Sequence, residues 1–187
     1  MIFFGVIWAL CAFSVLAPEN DRFLEVLNNA ETNHVKKELF SFYHGGIEQR
    51  VHASFSPDSV IALANTFMGT PHKLGGLSRQ GIDCSGLNMV VYKQFGIDLP
   101  RSCQEQARYG TIVPFQDELQ PGDLVFFYNS YKSSKFITHT GIYIGDGEFI
   151  HASDSKGVTT SKVNDPYFWG ERYLFATRLG TTSKDSL

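Results

Sequence analysis

A cysteine lies at the start of a predicted helix, a position that favours thiol chemistry. Cys84 follows Asp83 and begins a helical pattern over residues 83–95 that stops at Gly96. A helix N-terminus carries partial positive charge and unpaired N–H groups, which stabilise a thiolate and can bind the oxyanion of a tetrahedral intermediate. We therefore expect a lowered thiol pKa and a nucleophilic role for Cys84. For a cysteine without a partner base, the alternative is a buried and unreactive side chain.

A predicted hairpin further along the chain would carry two histidines, one on each strand. A two-residue turn places the two imidazoles on opposite faces. A three-residue loop over residues 145–147, with Gly147 in the left-handed conformation, pairs Ile144 with Glu148 and places both imidazoles on one face. The opposite face would then form a core surface of Thr140, Ile142, Ile144, Ile150 and Ala152. This alternation favours the three-residue loop.

The histidines of this hairpin are His139, which precedes the first strand, and His151, which lies on the second. Diagonal neighbours on one face are about 7–8 Å apart, so the two side chains can interact. We expect His139 to accept the proton of Cys84, and His151 to hydrogen-bond the far nitrogen of the His139 ring and fix its tautomer. A Cys-His-His zinc site is an alternative, but no fourth ligand has suitable spacing, so no metal is expected.

The composition is that of a packed globular protein with room for one domain and an N-terminal extension. Hydrophobic residues make up 43% and charged residues 19% of the 187 residues, which excludes a disordered chain. The formal net charge of -3 argues against a nucleic-acid partner, for which a basic face is needed. Three cysteines are too few for a disulfide framework.

Helical patterns precede strand patterns along the chain. Ser56-Pro57-Asp58 is typical of a helix start, and residues 102–105 have the form of a capping box before a short helix that ends near Gly110. An earlier helix is predicted after a cap at Asp21, from the spacing of Phe23, Leu24, Leu27 and Ala30. Strands are predicted at residues 124–128, 141–144, 149–152 and 173–178. Helices followed by antiparallel strands indicate an α+β fold.

A set of short segments occurs in a fixed order over about residues 57–179. They are Gly69-Thr70-Pro71 with Leu74-Gly75-Gly76, Gly81-Ile82-Asp83-Cys84-Ser85-Gly86, Leu99-Pro100-Arg101-Ser102, Pro121-Gly122-Asp123-Leu124-Val125-Phe126-Phe127, His139-Thr140-Gly141-Ile142-Tyr143-Ile144-Gly145 and His151-Ala152-Ser153. Together they resemble the NlpC-type cell-wall cysteine peptidases. The resemblance implies a papain-like α+β fold, in which the helix that bears the nucleophile packs on a mostly antiparallel sheet.

The resemblance also implies an activity and a set of site residues. The expected reaction is hydrolysis of amide bonds in peptidoglycan peptides, for example between D-glutamate and diaminopimelate or in a cross-link, without a cofactor. Cys84 is implied as nucleophile, His139 as base and His151 as third member. The residues expected to bind substrate are Asp83, Ser85, Arg101 and Ser102.

Two positions depart from the pattern of this family. His72 stands where many relatives have a tyrosine beside the oxyanion, and we expect it to serve as an auxiliary hydrogen-bond donor. Cys103 stands where a hydroxyl residue is common, and is interpreted as a packing residue that becomes redox-sensitive only if it reaches Cys84. Two other functions stay open: a papain-like amidase or acyltransferase on another substrate, and a non-catalytic wall-binding envelope protein.

The N-terminal residues differ from the rest of the chain. Residues 2–17 carry no charge and are mostly apolar, but the run is shorter than the roughly 20 residues of a membrane span. We interpret residues 1–17 as a signal peptide or membrane anchor, 18–55 as a helical linker, 56–180 as the peptidase domain and 181–187 as a tail. This organisation predicts an exported monomer that acts on peptidoglycan peptides. It would lie in the bacterial cell envelope or periplasm, or be secreted.

Overall fold

The computed structural model describes residues 27–28, 30, 32–44 and 54–180. The predicted N-terminal signal or anchor, the tail and most of the helix predicted after Asp21 lie outside these residues. Within them, no helix is both long and apolar enough to cross a membrane.

Helices come first in the chain and are followed by an antiparallel sheet. The helices are α1 (Asn33–His44), α2 (Pro57–Asn65), α3 (Cys84–Lys93) and α4 (Cys103–Gln106). A small ladder is formed by β1 (Leu77–Ser78) and β2 (Gly81–Ile82). The main sheet contains β3 (Thr111–Val113), β4 (Leu124–Tyr128), β5 (Ile137–Gly145), β6 (Glu148–Ser153), β7 (Gly157–Lys162) and β8 (Tyr173–Arg178). Its strand order is β3-β8-β4-β5-β6-β7 with antiparallel neighbours, which confirms the predicted α+β fold.

The starts of three helices follow from local chemistry. Pro57 occupies the first turn of α2 after an extended Ser56, as predicted. Asp83 caps α3, where its carboxylate accepts the N–H of Gly86 at 2.8 Å. Ser102 caps α4 in the same way, although α4 ends at Gln106 rather than near Gly110.

Core side chains cover both faces of the sheet. Leu87 and Val91 of α3 belong to the larger cluster, together with Ile142 and Ile150 of the sheet, and all four are fully buried. A second cluster on the other face contains Phe127, Phe149 and their neighbours. Full burial of each large apolar side chain contributes about 1.5–3 kcal/mol, so α3 is held firmly against β5 and β6.

The helix α1 extends this core at the N-terminal side. Its Leu39 and Phe42 are buried, and the Phe42 ring lies 5.9 Å from that of Phe175 in β8. The guanidinium of Arg108 also lies over the Phe42 ring, 4.5 Å from its centroid. The linker region therefore contributes a packed helix, which the sequence pattern did not predict at these residues.

The ladder between β5 and β6 contains a bulge. Tyr143 faces Phe149, whereas Gly145 faces Glu148, so Ile144 is an extra residue on β5. The apolar face predicted for this hairpin is present, because Ile142, Ile150 and Ala152 are buried in the main core and Ile144 is half-buried against it.

The turn of this hairpin has two residues, so the predicted three-residue loop is wrong. Asp146 and Gly147 both have positive φ, at 51° and 73°, as a two-residue hairpin turn requires. The bulge compensates for the shorter turn, and His139 and His151 therefore still lie on one face. The predicted strand start is also too late, because His139 lies within β5 rather than before it.

Candidate active site

A cleft of about 870 Å³ opens at the N-terminus of α3. The residues predicted to act in the site all line it: His72, Asp83, Cys84, Ser85, Arg101, Ser102, His139 and His151. Cys84 is the first residue of α3, directly after the extended N-cap Asp83, and its partly exposed side chain lines the cleft. Three segments that are far apart in the sequence thus contribute to one groove.

The two imidazoles are joined by a direct hydrogen bond. His139 Nε2 lies 2.9 Å from His151 Nδ1, and the His151 side chain is 1% exposed. The other nitrogen of the second ring, His151 Nε2, lies 2.9 Å from Ser161 Oγ. With Nε2 engaged, His139 has only Nδ1 free to meet another group.

The thiol of Cys84 is subject to opposing influences. Contact with the Cys103 thiol and burial raise the pKa of Cys84, while the charge of His139 and a hydrogen bond to it lower the pKa; the net shift is upward. Cys103 donates its own S–H to the carbonyl of Ile137 at 3.2 Å, so its sulfur can accept the proton of the neighbouring thiol. The prediction of a lowered thiol pKa is therefore wrong for the resting site, and Cys84 needs a base to ionise.

An aromatic side chain covers the histidine pair. The ring of Trp169 lies 4.7 Å from that of His139, with 33° between the planes, and meets His151 edge-on at 5.0 Å. Phe149 stacks on His151 at 4.7 Å and meets Trp169 edge-on at 5.4 Å. These contacts fix both imidazoles and limit the access of water to the hydrogen bond between them.

Asp83 is the centre of a polar network beside the thiol. Its carboxylate accepts hydrogen bonds from the backbone N–H groups of Gly75 and Gly86 and from Arg101. Burial favours the neutral acid, but these hydrogen bonds together outweigh burial and lower the pKa of Asp83. Arg101 also donates to Ser85 Oγ at 2.8 Å, so the guanidinium holds both side chains in place.

His72 lies on the rim of the same cleft. Its backbone bridges to Ile82, two residues before Cys84, which fixes it near the start of α3. Its Nε2 lies 3.1 Å from a carboxylate oxygen of Asp154. Among the described residues, no group of three or more His, Cys, Asp or Glu side chains could hold a metal ion.

Sequence reasoning missed Ser161 and Trp169, which both contact the histidine pair. Ser161 lies on β7, whose sequence is polar and gives no strong strand signal. Trp169 precedes a short 3₁₀ helix, Gly170–Arg172, in the connection to β8. The aromatic run Tyr167-Phe168-Trp169 in this connection is the available sequence signal for Trp169.

Comparison with known proteins agrees with this geometry. The NlpC/P60 family model matches residues 69–178. The probable endopeptidase NlpC homolog of Haemophilus influenzae is 34% identical over 164 residues, which cover 86% of this chain and 82% of that protein. The murein DD-endopeptidase MepS/murein LD-carboxypeptidase of Escherichia coli is 44% identical over 112 residues, which cover 59% of this chain and 56% of that protein.

A solved structure shows the same architecture. An NlpC/P60 family protein from Bacillus cereus aligns with a TM-score of 0.59 at 35% identity, and the alignment covers 67% of this chain and 40% of that chain. The matched family region is more than half of the sequence and includes the cysteine and both histidines of the cleft. The resemblance inferred from the ordered segments is thereby confirmed: this chain belongs to the NlpC/P60 family.

Proposed function

We propose that this chain is a peptidoglycan endopeptidase that hydrolyses amide bonds in stem peptides or cross-links, with Cys84 as nucleophile. The observation that carries the proposal is the hydrogen-bonded pair of His139 and His151 in the cleft onto which Cys84 opens. The names of the relatives, an endopeptidase and a murein DD-endopeptidase, support the reaction and the substrate class.

The first half of the reaction forms an acyl-enzyme. His139 Nδ1 accepts the proton of the Cys84 thiol, and the thiolate attacks the carbonyl carbon of the scissile amide. The N-terminal N–H groups of α3 bind the developing oxyanion, and His72 on the rim can donate a further hydrogen bond. When the tetrahedral intermediate collapses, the C–N bond breaks and His139 gives its proton to the leaving amine.

The second half releases the acyl group. His139 removes a proton from water, and the resulting hydroxide attacks the thioester that links the substrate to Cys84. The C–S bond then breaks, the carboxylic acid product leaves, and the thiolate regains a proton. Because the resting pKa of Cys84 is raised, the base is needed in every turnover.

The polar network at the start of α3 is suited to bind the peptide part of the substrate. Asp83 and Arg101 lie in the cleft with opposite charges, and Ser85 and Ser102 add hydroxyl groups. Stem peptides carry amino, amide and carboxylate groups, so such a mixed surface can orient the chain across the thiol. We also propose that the protein is exported and acts in the cell envelope, with residues 1–17 as signal or anchor.

Digestion of purified peptidoglycan and defined stem-peptide fragments tests the function. The native protein should release peptides with new amino and carboxyl ends, identified by mass, and Cys84→Ala should lower the rate at least about a thousandfold. Cys103→Ala is the matched control, since it removes the neighbouring thiol and should keep hydrolysis. Undiminished cleavage by Cys84→Ala would reject the mechanism.

The same digestion separates the alternatives. Release of acyl chains instead of peptides would indicate a papain-like amidase or acyltransferase. Binding to peptidoglycan without any product would indicate a wall-binding protein with an inactive site. For the export proposal, mass analysis of the mature N-terminus after expression in a bacterial host should show removal of residues 1–17 or recovery of the intact chain in the membrane fraction; an intact chain in the cytosol would contradict it.

A further inference from the structure

Both ring nitrogens of His151 form hydrogen bonds, although the side chain is almost completely buried. Nδ1 meets His139 and Nε2 meets Ser161, each at 2.9 Å. Phe149 stacks on the ring and Trp169 meets it edge-on. Water therefore has little access to either nitrogen, and the orientation of each hydrogen bond is set by the protein groups alone.

Only one direction of these hydrogen bonds leaves a base for the thiol. Burial and the nearby charges of His139 and Lys156 hold the pKa of His151 well below its ordinary value, so this ring is neutral and has one N–H. If Nε2 carries that proton and Ser161 accepts it, Nδ1 must accept the N–H of His139. The lone pair of His139 is then on Nδ1, where it can receive the thiol proton.

The reverse direction blocks the reaction. If Ser161 donates to Nε2, then His151 donates from Nδ1, and His139 must carry its proton on the nitrogen that faces the thiol. Two donors, S–H and N–H, would then meet. The arrangement with Ser161 as acceptor satisfies every group, because Ser161 is half-buried on the cleft and its own proton can point toward open space.

We propose that Ser161 is a positioning residue, which accepts the Nε2 proton of His151 and thereby sets the tautomer of His139 needed by Cys84. The relay thus has four members, with the hydroxyl of β7 at its far end. This inference rests on the proposed function, since it assigns a purpose to the hydrogen bond only if Cys84 reacts through His139. It concerns the reactive form of the base and not the affinity for substrate.

Replacement of the hydroxyl tests the proposal. Ser161→Ala and Ser161→Val remove the acceptor, whereas Ser161→Thr retains it in nearly the same shape as the valine variant. We expect the first two to lower kcat about 10- to 100-fold with KM within about twofold, and the threonine variant to recover most of kcat. Thr160→Ala is the matched control, because Thr160 is exposed on the opposite face of β7 and should leave both constants unchanged.

Nitrogen-15 NMR of the histidine rings supplies a readout that loss of stability would not change. The native protein and Ser161→Thr should show a protonated Nε2 on both His139 and His151, and Ser161→Ala should show a mixture of tautomers. Native kcat and native tautomers in both Ser161→Ala and Ser161→Val would overturn the proposal. If Cys84→Ala is inactive while these variants keep full activity, only the role of Ser161 fails; if Cys84→Ala is active, the proposed function itself fails.

Discussion

A buried glutamine ties the start of α3 to its neighbours, and its removal is the sharpest test of how the site is held. Gln106 of α4 is fully buried, and its Nε2 donates to the carbonyls of Ser85 and Pro100, both at 2.9 Å. Its Oε1 accepts from Asn88 Nδ2 at 3.0 Å. Asn88 donates in turn to Thr140 Oγ1 of β5 at 3.0 Å. Gln106 and Asn88 together thus link α4 to α3, which bears Cys84, and to β5, which bears His139.

Gln106→Leu keeps most of the volume and removes all three hydrogen bonds. Each lost bond between buried neutral groups costs about 1 kcal/mol, and a group left without any partner costs about 1–3 kcal/mol. Because the carbonyl of Ser85 also lies within α3 and Asn88 keeps its bond to Thr140, we expect a total loss of about 2–4 kcal/mol. At about 2–4 °C per kcal/mol for a protein of this size, Tm should fall by roughly 5–15 °C.

Urea unfolding measured by circular dichroism gives the free energy of unfolding directly. Gln94→Leu is the matched control, since Gln94 is exposed at the end of α3 and the same change there should alter stability by less than about 0.5 kcal/mol. A loss below about 1 kcal/mol for Gln106→Leu, or one equal to that of the control, would show that the network does not hold the two helices together.

Three further predictions concern the thiol and the histidine pair. Cys103→Ala removes the acceptor that keeps Cys84 protonated, so alkylation of Cys84 by iodoacetamide at neutral pH should be about three- to tenfold faster by mass spectrometry, and an unchanged or slower rate would contradict the assigned contact. The pKa of His151 is lower in the folded than in the unfolded chain, where it is about 6.5, so the unfolded chain binds the additional proton. The contribution of His151 to the free energy of unfolding should therefore be fully present above about pH 6.5 and fall as pH drops toward the folded pKa, by up to about 1.4 kcal/mol per pH unit. Urea titrations at several pH values should show a smaller slope for His151→Asn. Trp169→Ala exposes the pair of imidazoles to water and should lower kcat about tenfold, whereas Trp169→Phe should retain most of kcat because an aromatic ring still covers His139. Equal activity of the two Trp169 variants would refute that role.

Features set by neighbouring residues could be predicted from the sequence. A capping side chain binds a backbone N–H only three residues away, so Asp83 and Ser102 mark the starts of α3 and α4 without reference to the rest of the fold. Pro57 marks the start of α2 for a similar local reason. The final strand is also predicted at its observed bounds, Tyr173–Arg178, where the aromatic residues Tyr173 and Phe175 alternate with Leu174 and Ala176.

Features set by residues that are distant in the sequence could not be predicted in this way. The edge strand β3 has three residues and the edge strand β7 is mostly polar, so their pairing with β8 and β6 gives them order that their own residues do not signal. The contact of Ser161 with His151 depends on that pairing. The raised pKa of Cys84 depends on Cys103, which reaches the thiol from another helix, so the reasoning from one helix N-terminus had the wrong sign.

The hairpin of the two histidines shows how a conflict between local rules can be informative. Asp146-Gly147 is the strongest two-residue turn signal in the chain, yet the apolar pattern of the strands requires the register of a longer loop. Both rules hold, because Ile144 bulges and absorbs the difference of one residue. Without the bulge, a two-residue turn would direct His139 into the core that contacts α3 and Thr140 toward the cleft. A turn signal and a face pattern that disagree by one residue therefore indicate a bulge, and here that single residue decides whether the imidazoles can meet.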